Sequence, residues 1–206
     1  MPAEEKLPMY GEAMRNPLRL KAGRKERCME TKDVILRDWA DTDAQSLYEM
    51  CLDDTLRKSG VSFYDSISQS RKAIDFWKNN PGCKVILGKA ANCFVGFVHL
   101  GDMNRYNGYM EMEYAIIAAH RNKGYATQAV KEALDYGFKE LKIAVIAAWV
   151  RSHNQASMRV LEKCGFMLEG KLRKHARDGS DTYCYSILRE EWENWGSESS
   201  YTYNDC

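Results

Sequence analysis

The stretch from Met110 to Gly137 constrains this chain most, because two hydrophobic periods meet in it on either side of a basic loop. From Glu111 to Ile117 polar and apolar residues alternate and then become wholly apolar, which predicts a strand with one face in a core. From Ala126 onward, Ala129, Val130, Ala133, Leu134, Gly137, Phe138 and Leu141 follow the i, i+3, i+4, i+7 spacing of a buried helical stripe. Between them lie Arg121, Asn122, Lys123, Gly124, Tyr125 and Ala126. A basic loop entering a helix N-terminus offers unpaired backbone N–H groups, the positive end of the helix dipole and two cations to one anion. Gly124 permits a left-handed turn, Ala126 keeps the next turn slim, and Thr127 adds a hydroxyl donor. A strand, loop and helix whose glycine only turns the chain is the plain alternative at this point.

Charge and length exclude several function classes. The 206 residues suffice for one well-cored domain, and 30 basic against 29 acidic residues leave a net charge of +1, so no global nucleic-acid footprint is expected. Apolar runs are too short and interrupted to span a bilayer and no signal-peptide pattern opens the chain, which predicts a cytoplasmic protein without a membrane partner. Seven cysteines lack CxxC or Cys/His spacing, so reduced thiols and no metal site are expected. Residues 1–30 are charged with few regular apolar positions and read as a flexible extension, residues 31–195 as the domain, and residues 196–206 as a tail. The basic run from Arg15 to Arg27 reads as a solvated part of that extension.

The remaining elements follow in order. Val34 to Leu36 predicts a first strand; Thr42 with Gln45 forms a capping-box pattern before a helix carrying Leu47 and Cys51. A second helix is expected over Ser68 to Asn79, and the aromatic-bearing Asp53–Ser66 stretch between the two suits a substrate mouth. A hairpin over Lys84–Leu87 and Asn92–Leu100 leads into the Glu111 strand. After the long helix, Ile143–Val150 reads as an interior strand, and Asn154 caps a helix that stops near Cys164 and Gly165. Ser157 falls on the apolar face of that helix and needs a partner or a ligand; a bond to its own helix carbonyl is the alternative. Met167–Leu172 and Thr182–Leu188 form a last hairpin, turned at Asp178 and Gly179.

Taken together, Arg121-x-x-Gly124-x-Ala126 after a strand, Asn154-x-x-Ser157, and Glu162-Lys163-Cys164-Gly165-Phe166 resemble the GNAT family of acyl-CoA-dependent N-acetyltransferases, and more narrowly its RimJ/RimL-type branch. The resemblance covers about Thr31 to Trp195. It implies an α+β fold with a mixed, mostly antiparallel twisted sheet of about seven strands flanked by helices and splayed between the fourth and fifth. It further implies an acetyl-CoA cosubstrate held by backbone amides of Arg121, Asn122, Lys123, Gly124, Tyr125 and Ala126 with Thr127, by backbone of Tyr114, Ala115 and Ile116, and by Asn154.

Acetylating an amine requires a proton acceptor, because aliphatic amines are mostly protonated near neutral pH. Strand alternation sets Glu111 and Glu113 on one face, with Glu113 nearer the thioester; a β-bulge would change which of them points inward. Charged strand residues that simply face water are the alternative. The tyrosine that many relatives place four residues before the Gly–Phe pair, for protonating the leaving thiolate, is Leu161 here. Ser157 stands as the candidate hydrogen-bond donor to the sulfur, with Tyr183 and Tyr185 as fallbacks. The expected partner is an amine, either a protein N-terminus or a small molecule, and exposed sheet edges make a homodimer a further expectation. A non-catalytic acyl-CoA-binding regulatory module is the competing reading.

Overall fold

A computed structural model describes residues 29–102 and 108–199; the side chains of residues 102 and 195–199 are outside the description, as are the whole of 1–28, 103–107 and 200–206. The basic Arg15–Arg27 run and most of the expected N-terminal extension therefore lie outside the described residues. Eight strands form one sheet in the order β1-β2-β3-β4-β5-β6-β8-β7. They are β1 (Met29–Glu30), β2 (Val34–Asp38), β3 (Cys83–Gly88), β4 (Cys93–Asp102), β5 (Tyr109–Ile116), β6 (Val145–Arg151), β7 (Met167–Leu172) and β8 (Thr182–Leu188). The helices are α1 (Ala44–Cys51), α2 (Asp54–Lys58), α3 (Ile67–Trp77), α4 (Tyr125–Lys139), α5 (Gln155–Lys163) and α6 (Arg189–Ser199).

The count exceeds the expected seven because Met29 and Glu30 add a short strand beside Leu36 and Ile35. A two-residue pair carries no period for a sequence to show. Gln128 on α4 fixes the β1–β2 turn: its Oε1 accepts from the Thr31 hydroxyl at 2.7 Å and the Asp33 amide at 2.9 Å. At the other end, α6 continues past residue 195 to Ser199.

Alternation along the strands splits the apolar residues into two cores, one on each sheet face. Val98, Leu100, Met110, Met112, Ile146 and Ile187 pack with Val130, Leu134 and Leu161 of α4 and α5. The intervening positions Val85, Phe97 and Ala115 pack with Trp39, Leu47, Leu56, Tyr64 and Ile74 under α1, α2 and α3. Glu111 and Glu113 share the parity of Ala115, so both lie on the α1–α3 face. The β4–β5 register runs unbroken from Gly96↔Ile116 to Asp102↔Met110, and no bulge displaces either glutamate.

All neighbouring strands are antiparallel except β5 and β6, which are parallel and pair only at Tyr109↔Val145, Met110↔Ile146 and Glu111↔Ala147. Beyond Glu111 the two part, and the residues from Met112 to Ile116 keep β4 as their only paired strand. This is the splay expected between the fourth and fifth strands, shifted by one in number by β1.

One local expectation is corrected. Thr42 does not cap α1; a 3-10 turn over Asp41–Asp43 precedes that helix. Asp43 instead holds the turn, its Oδ2 accepting from the Ala40 amide at 2.9 Å and from Arg37 Nη1 at 2.7 Å. A carboxylate that receives a guanidinium fork and an amide outcompetes a threonine hydroxyl for the cap.

Candidate active site

Backbone geometry forms the loop end of the site. After β5 the chain passes a 3-10 turn at Ala118–His120, takes a left-handed step at Asn122 (φ 60°) and enters α4 through Gly124 at φ 76°. Gly124 is the N-cap and supplies no side-chain hydrogen bond, so the first-turn amides of α4 point out uncapped. Asn122, Lys123 and Gly124 are exposed, and Tyr125, Ala126 and Thr127 half-buried. The Arg121 side chain turns away from this cradle: Nε donates to the Ile116 carbonyl at 3.0 Å and Nη2 to Asp53 Oδ2 at 2.5 Å. Of the three β5 residues with expected backbone roles, Ile116 thus already has its carbonyl engaged.

The opposite wall is the β6–α5 corner. Asn154 caps α5, its Oδ1 accepting from the Ser157 amide at 3.1 Å. Ser157 lies one turn in, and its Oγ stands 2.9 Å from the Tyr114 hydroxyl oxygen; that phenol also donates to the Ser157 carbonyl at 3.0 Å. One β5 side chain therefore joins the helix that follows β6. Burial first, and packing near other ionisable groups, raise the Tyr114 pKa, while the Ser157 bond works against the shift. The phenol stays protonated at any physiological pH.

The floor carries the acids. Glu113 is two residues past the last β5–β6 pair, largely walled in by protein and only partly exposed. Desolvation, and secondarily the charge on Glu111, lift its pKa to about 7; burial also raises that of Glu111. The cross-strand neighbour of Glu113 is His99, which does not neutralise it. His99 Nε2 accepts from Trp39 Nε1 at 3.0 Å, and complete burial lowers the imidazole pKa to about 3. The ring is neutral with its proton on Nδ1, set among Trp77 at 4.6 Å and Phe97 at 4.4 Å between centroids.

Loop, acids and the Asn154–Ser157 corner thus converge on the gap between β5 and β6. Tyr183 and Tyr185 do not join them by any direct bond: Tyr185 donates to Glu162 at 3.3 Å, and the Lys171 ammonium lies 6.0 Å from the Tyr183 ring centroid. Three contributors escape the sequence reading. For Tyr114 the sequence resemblance implies a backbone role only and none for its hydroxyl, and Asp53 and the Trp39–His99 pair each meet their partners at a separation of 60 or more positions along the chain. For Asp53 the one local trace is its position before Asp54 and Thr55, which suits an N-cap.

A sheet that opens between two parallel strands, with an uncapped helix N-terminus at one wall and two buried carboxylates at the floor, is an arrangement suited to acyl transfer. The chain belongs to the GNAT acetyltransferases: residues 33–167 match the family model "Acetyltransferase (GNAT) domain". It is 29% identical over 169 residues to the N-acetyltransferase YnaD of Bacillus subtilis (strain 168), covering 79% of this chain and 97% of that one. A GNAT-family acetyltransferase from Bacillus anthracis superposes with a TM-score of 0.72 at 25% identity, over 80% of this chain and 99% of that one. The spermidine N-acetyltransferase from Vibrio cholerae in complex with CoA and spermine superposes with a TM-score of 0.71 at 22% identity, over 80% and 100% of the two chains, a likeness of fold. The protein is an N-acetyltransferase, and among the described residues no helix is long and apolar enough to cross a membrane.

Proposed function

We propose that this enzyme transfers the acetyl group of acetyl-CoA to a primary amine by direct attack within a ternary complex, with Glu113 as the proton acceptor. The observation that carries this reading is an enclosed carboxylate just past the last β5–β6 pair, where the strands part and desolvation raises its pKa to about 7. Such a group is half ionised near neutral pH and takes a proton from an ammonium or attacking amine, directly or through one water.

The amine nitrogen attacks the thioester carbonyl carbon, the C–N bond forms, and the amine proton passes to Glu113. The C–S bond then breaks and the electron pair leaves with sulfur. Ser157 donates a hydrogen bond to that thiolate, and solvent returns the proton. Loop and first-turn amides from Asn122 to Ala126, left without a side-chain cap, support pyrophosphate binding, backbone of Tyr114 and Ala115 supports pairing with the pantetheine amides, and Asn154 stands at the far wall. Arg121 contributes here through its backbone and its grip on the loop.

The acceptor is a cationic amine, a protein N-terminus or a small oligoamine, because the floor pairs two carboxylates with no cation bonded to either among the described residues. Ser157 in place of a tyrosine acid supports the RimJ/RimL-like branch. Release of free thiol from acetyl-CoA, followed over a panel of peptide N-termini, polyamines and aminoglycosides with mass spectrometry of the product, tests the reading. Turnover with at least one amine, lost in Glu113→Gln, is expected; coenzyme A binding without turnover on any amine overturns it.

A further inference from the structure

We infer that Asp53 is a positioning residue that ties the coenzyme loop to the chain segment over the acceptor side, so that filling the donor site orders the amine site. This rests on the coenzyme A reading proposed above.

The segment from Asp53 to Val61 is fastened at both ends, and the two ends are on opposite sides of the gap. At its start, the two oxygens of Asp53 serve different elements. Oδ1 accepts from the Thr55 amide at 2.8 Å and caps α2, while Oδ2 accepts from Arg121 Nη2 at 2.5 Å. Arg121 opens the coenzyme loop and is itself pinned to the end of β5 through the Ile116 carbonyl at 3.0 Å. At its other end the segment meets the close of β6. His153 Nε2 lies 3.3 Å from the Lys58 carbonyl, and Gly60 sits against Arg151 so closely that a Cβ would come within 3.0 Å of Nε. The segment therefore reaches from the β5 wall to the β6 wall, where the strands no longer pair with each other.

Its underside is held to the acceptor-side core. Leu56 is buried there with Tyr64, and the Cys51 thiol donates to the Ser62 carbonyl at 3.3 Å.

Arg121 is the only bond-making link from the loop to this segment among the interactions described. A guanidinium that grips a β5 carbonyl and a carboxylate together has little freedom to turn. When an anion draws the amides of residues 122–126 together, the Arg121 backbone is fixed, its fork holds Asp53, and Asp53 holds the first turn of α2. Order at the donor loop is thereby passed to the acceptor side as lost local opening of α2.

Hydrogen exchange of the amides from Thr55 to Ser62, with and without saturating coenzyme A, reads this coupling without knowledge of the acceptor. In the wild-type protein exchange is expected to slow at least about fivefold on binding. Asp53→Asn keeps an N-cap side chain but loses the charge that holds Arg121, and the slowing is expected to fall below about twofold while coenzyme A still binds. Arg121→Met repeats the loss from the other partner, and thermal melting checks that both variants are folded. Undiminished slowing in Asp53→Asn, or none in a wild-type protein that binds coenzyme A, overturns the inference and leaves the acetyltransferase reading standing. A wild-type protein that fails to bind coenzyme A overturns that reading itself.

Discussion

The hydroxyl oxygens of Tyr114 and Ser157 lie 2.9 Å apart and join the strand on one side of the cleft to the helix on the other. Leu161, one turn further along α5 and at the position where the family resemblance implies a tyrosine, is a fully buried core residue. A phenol whose pKa is raised above its ordinary value is a poor acid toward a thiolate of ordinary pKa about 8.5, so full proton transfer is uphill. Stabilisation by a hydrogen bond costs no such transfer: in the proposed reaction the Tyr114 proton swings from the Ser157 carbonyl to its Oγ, and the Ser157 hydroxyl donates to sulfur. Ser157→Ala and Tyr114→Phe are each expected to lower kcat by about 10-fold or more. The double variant should lose little beyond the worse single one, since the two act as a unit. Steady-state thiol release on the three variants checks this, and full additivity would separate the two roles.

As the proposed proton acceptor, Glu113 should give the rate a pH dependence, and its burial should give stability one. The rate should rise with pH through about 7 as the carboxylate ionises, and Glu113→Gln should remove this limb and lower kcat by about 10²–10⁴-fold. The folded pKa is raised above the unfolded one, so the stability this group contributes is present in full below about 4.5 and is lost as pH rises through about 7. Glu113→Gln is therefore expected to gain about 1–3 kcal/mol over the wild-type protein at pH 8 and nothing at pH 4. Denaturant titrations at the two pH values give the difference.

Gly96 on β4 pairs with Ile116 at the lip of the cleft, with φ at 156°. A Cβ there would lie 2.0 Å from the Ala115 carbonyl oxygen, a backbone atom that cannot move without pulling β5 out of register. Gly96→Ala is expected to cost about 3 kcal/mol or more and to weaken coenzyme A binding in whatever fraction remains folded. Thermal melting together with binding calorimetry tests this.

Asn154 separates its two roles by substitution. Removing the cap in Asn154→Ala should cost about 1 kcal/mol of stability. Asn154→Ser keeps an N-cap but shortens the reach, so its melting temperature should stay near that of the wild-type protein. A KM for acetyl-CoA that rises in Asn154→Ser without a loss of stability would place the amide on the pantetheine arm; an unchanged KM would leave it as a cap alone.

The elements readable in the sequence are those whose period is written over five or more residues. The α4 stripe from Ala129 to Phe138 is buried as its spacing requires, and β7 and β8 occupy Met167–Leu172 and Thr182–Leu188. Local chemistry was equally legible: Gly124 takes the left-handed step that opens α4, and Asn154 caps α5. Strand alternation also set Glu111 and Glu113 on one face, because side-chain direction in a strand follows from chirality and pleat alone.

Which face that is, and what it meets, came only from the fold. Glu113, lifted to about 7 by desolvation, lies on the sheet face covered by α1–α3 and opposite a neutral His99 whose indole partner lies 60 residues away in sequence. The Tyr114–Ser157 bond spans 43 residues and the Arg121–Asp53 bond 68. Periodicity and capping are properties of neighbours along the chain and survive in the sequence. Desolvation, counter-charge and the parting of β5 from β6 are properties of neighbours in space, which exist only once the sheet has closed its two cores.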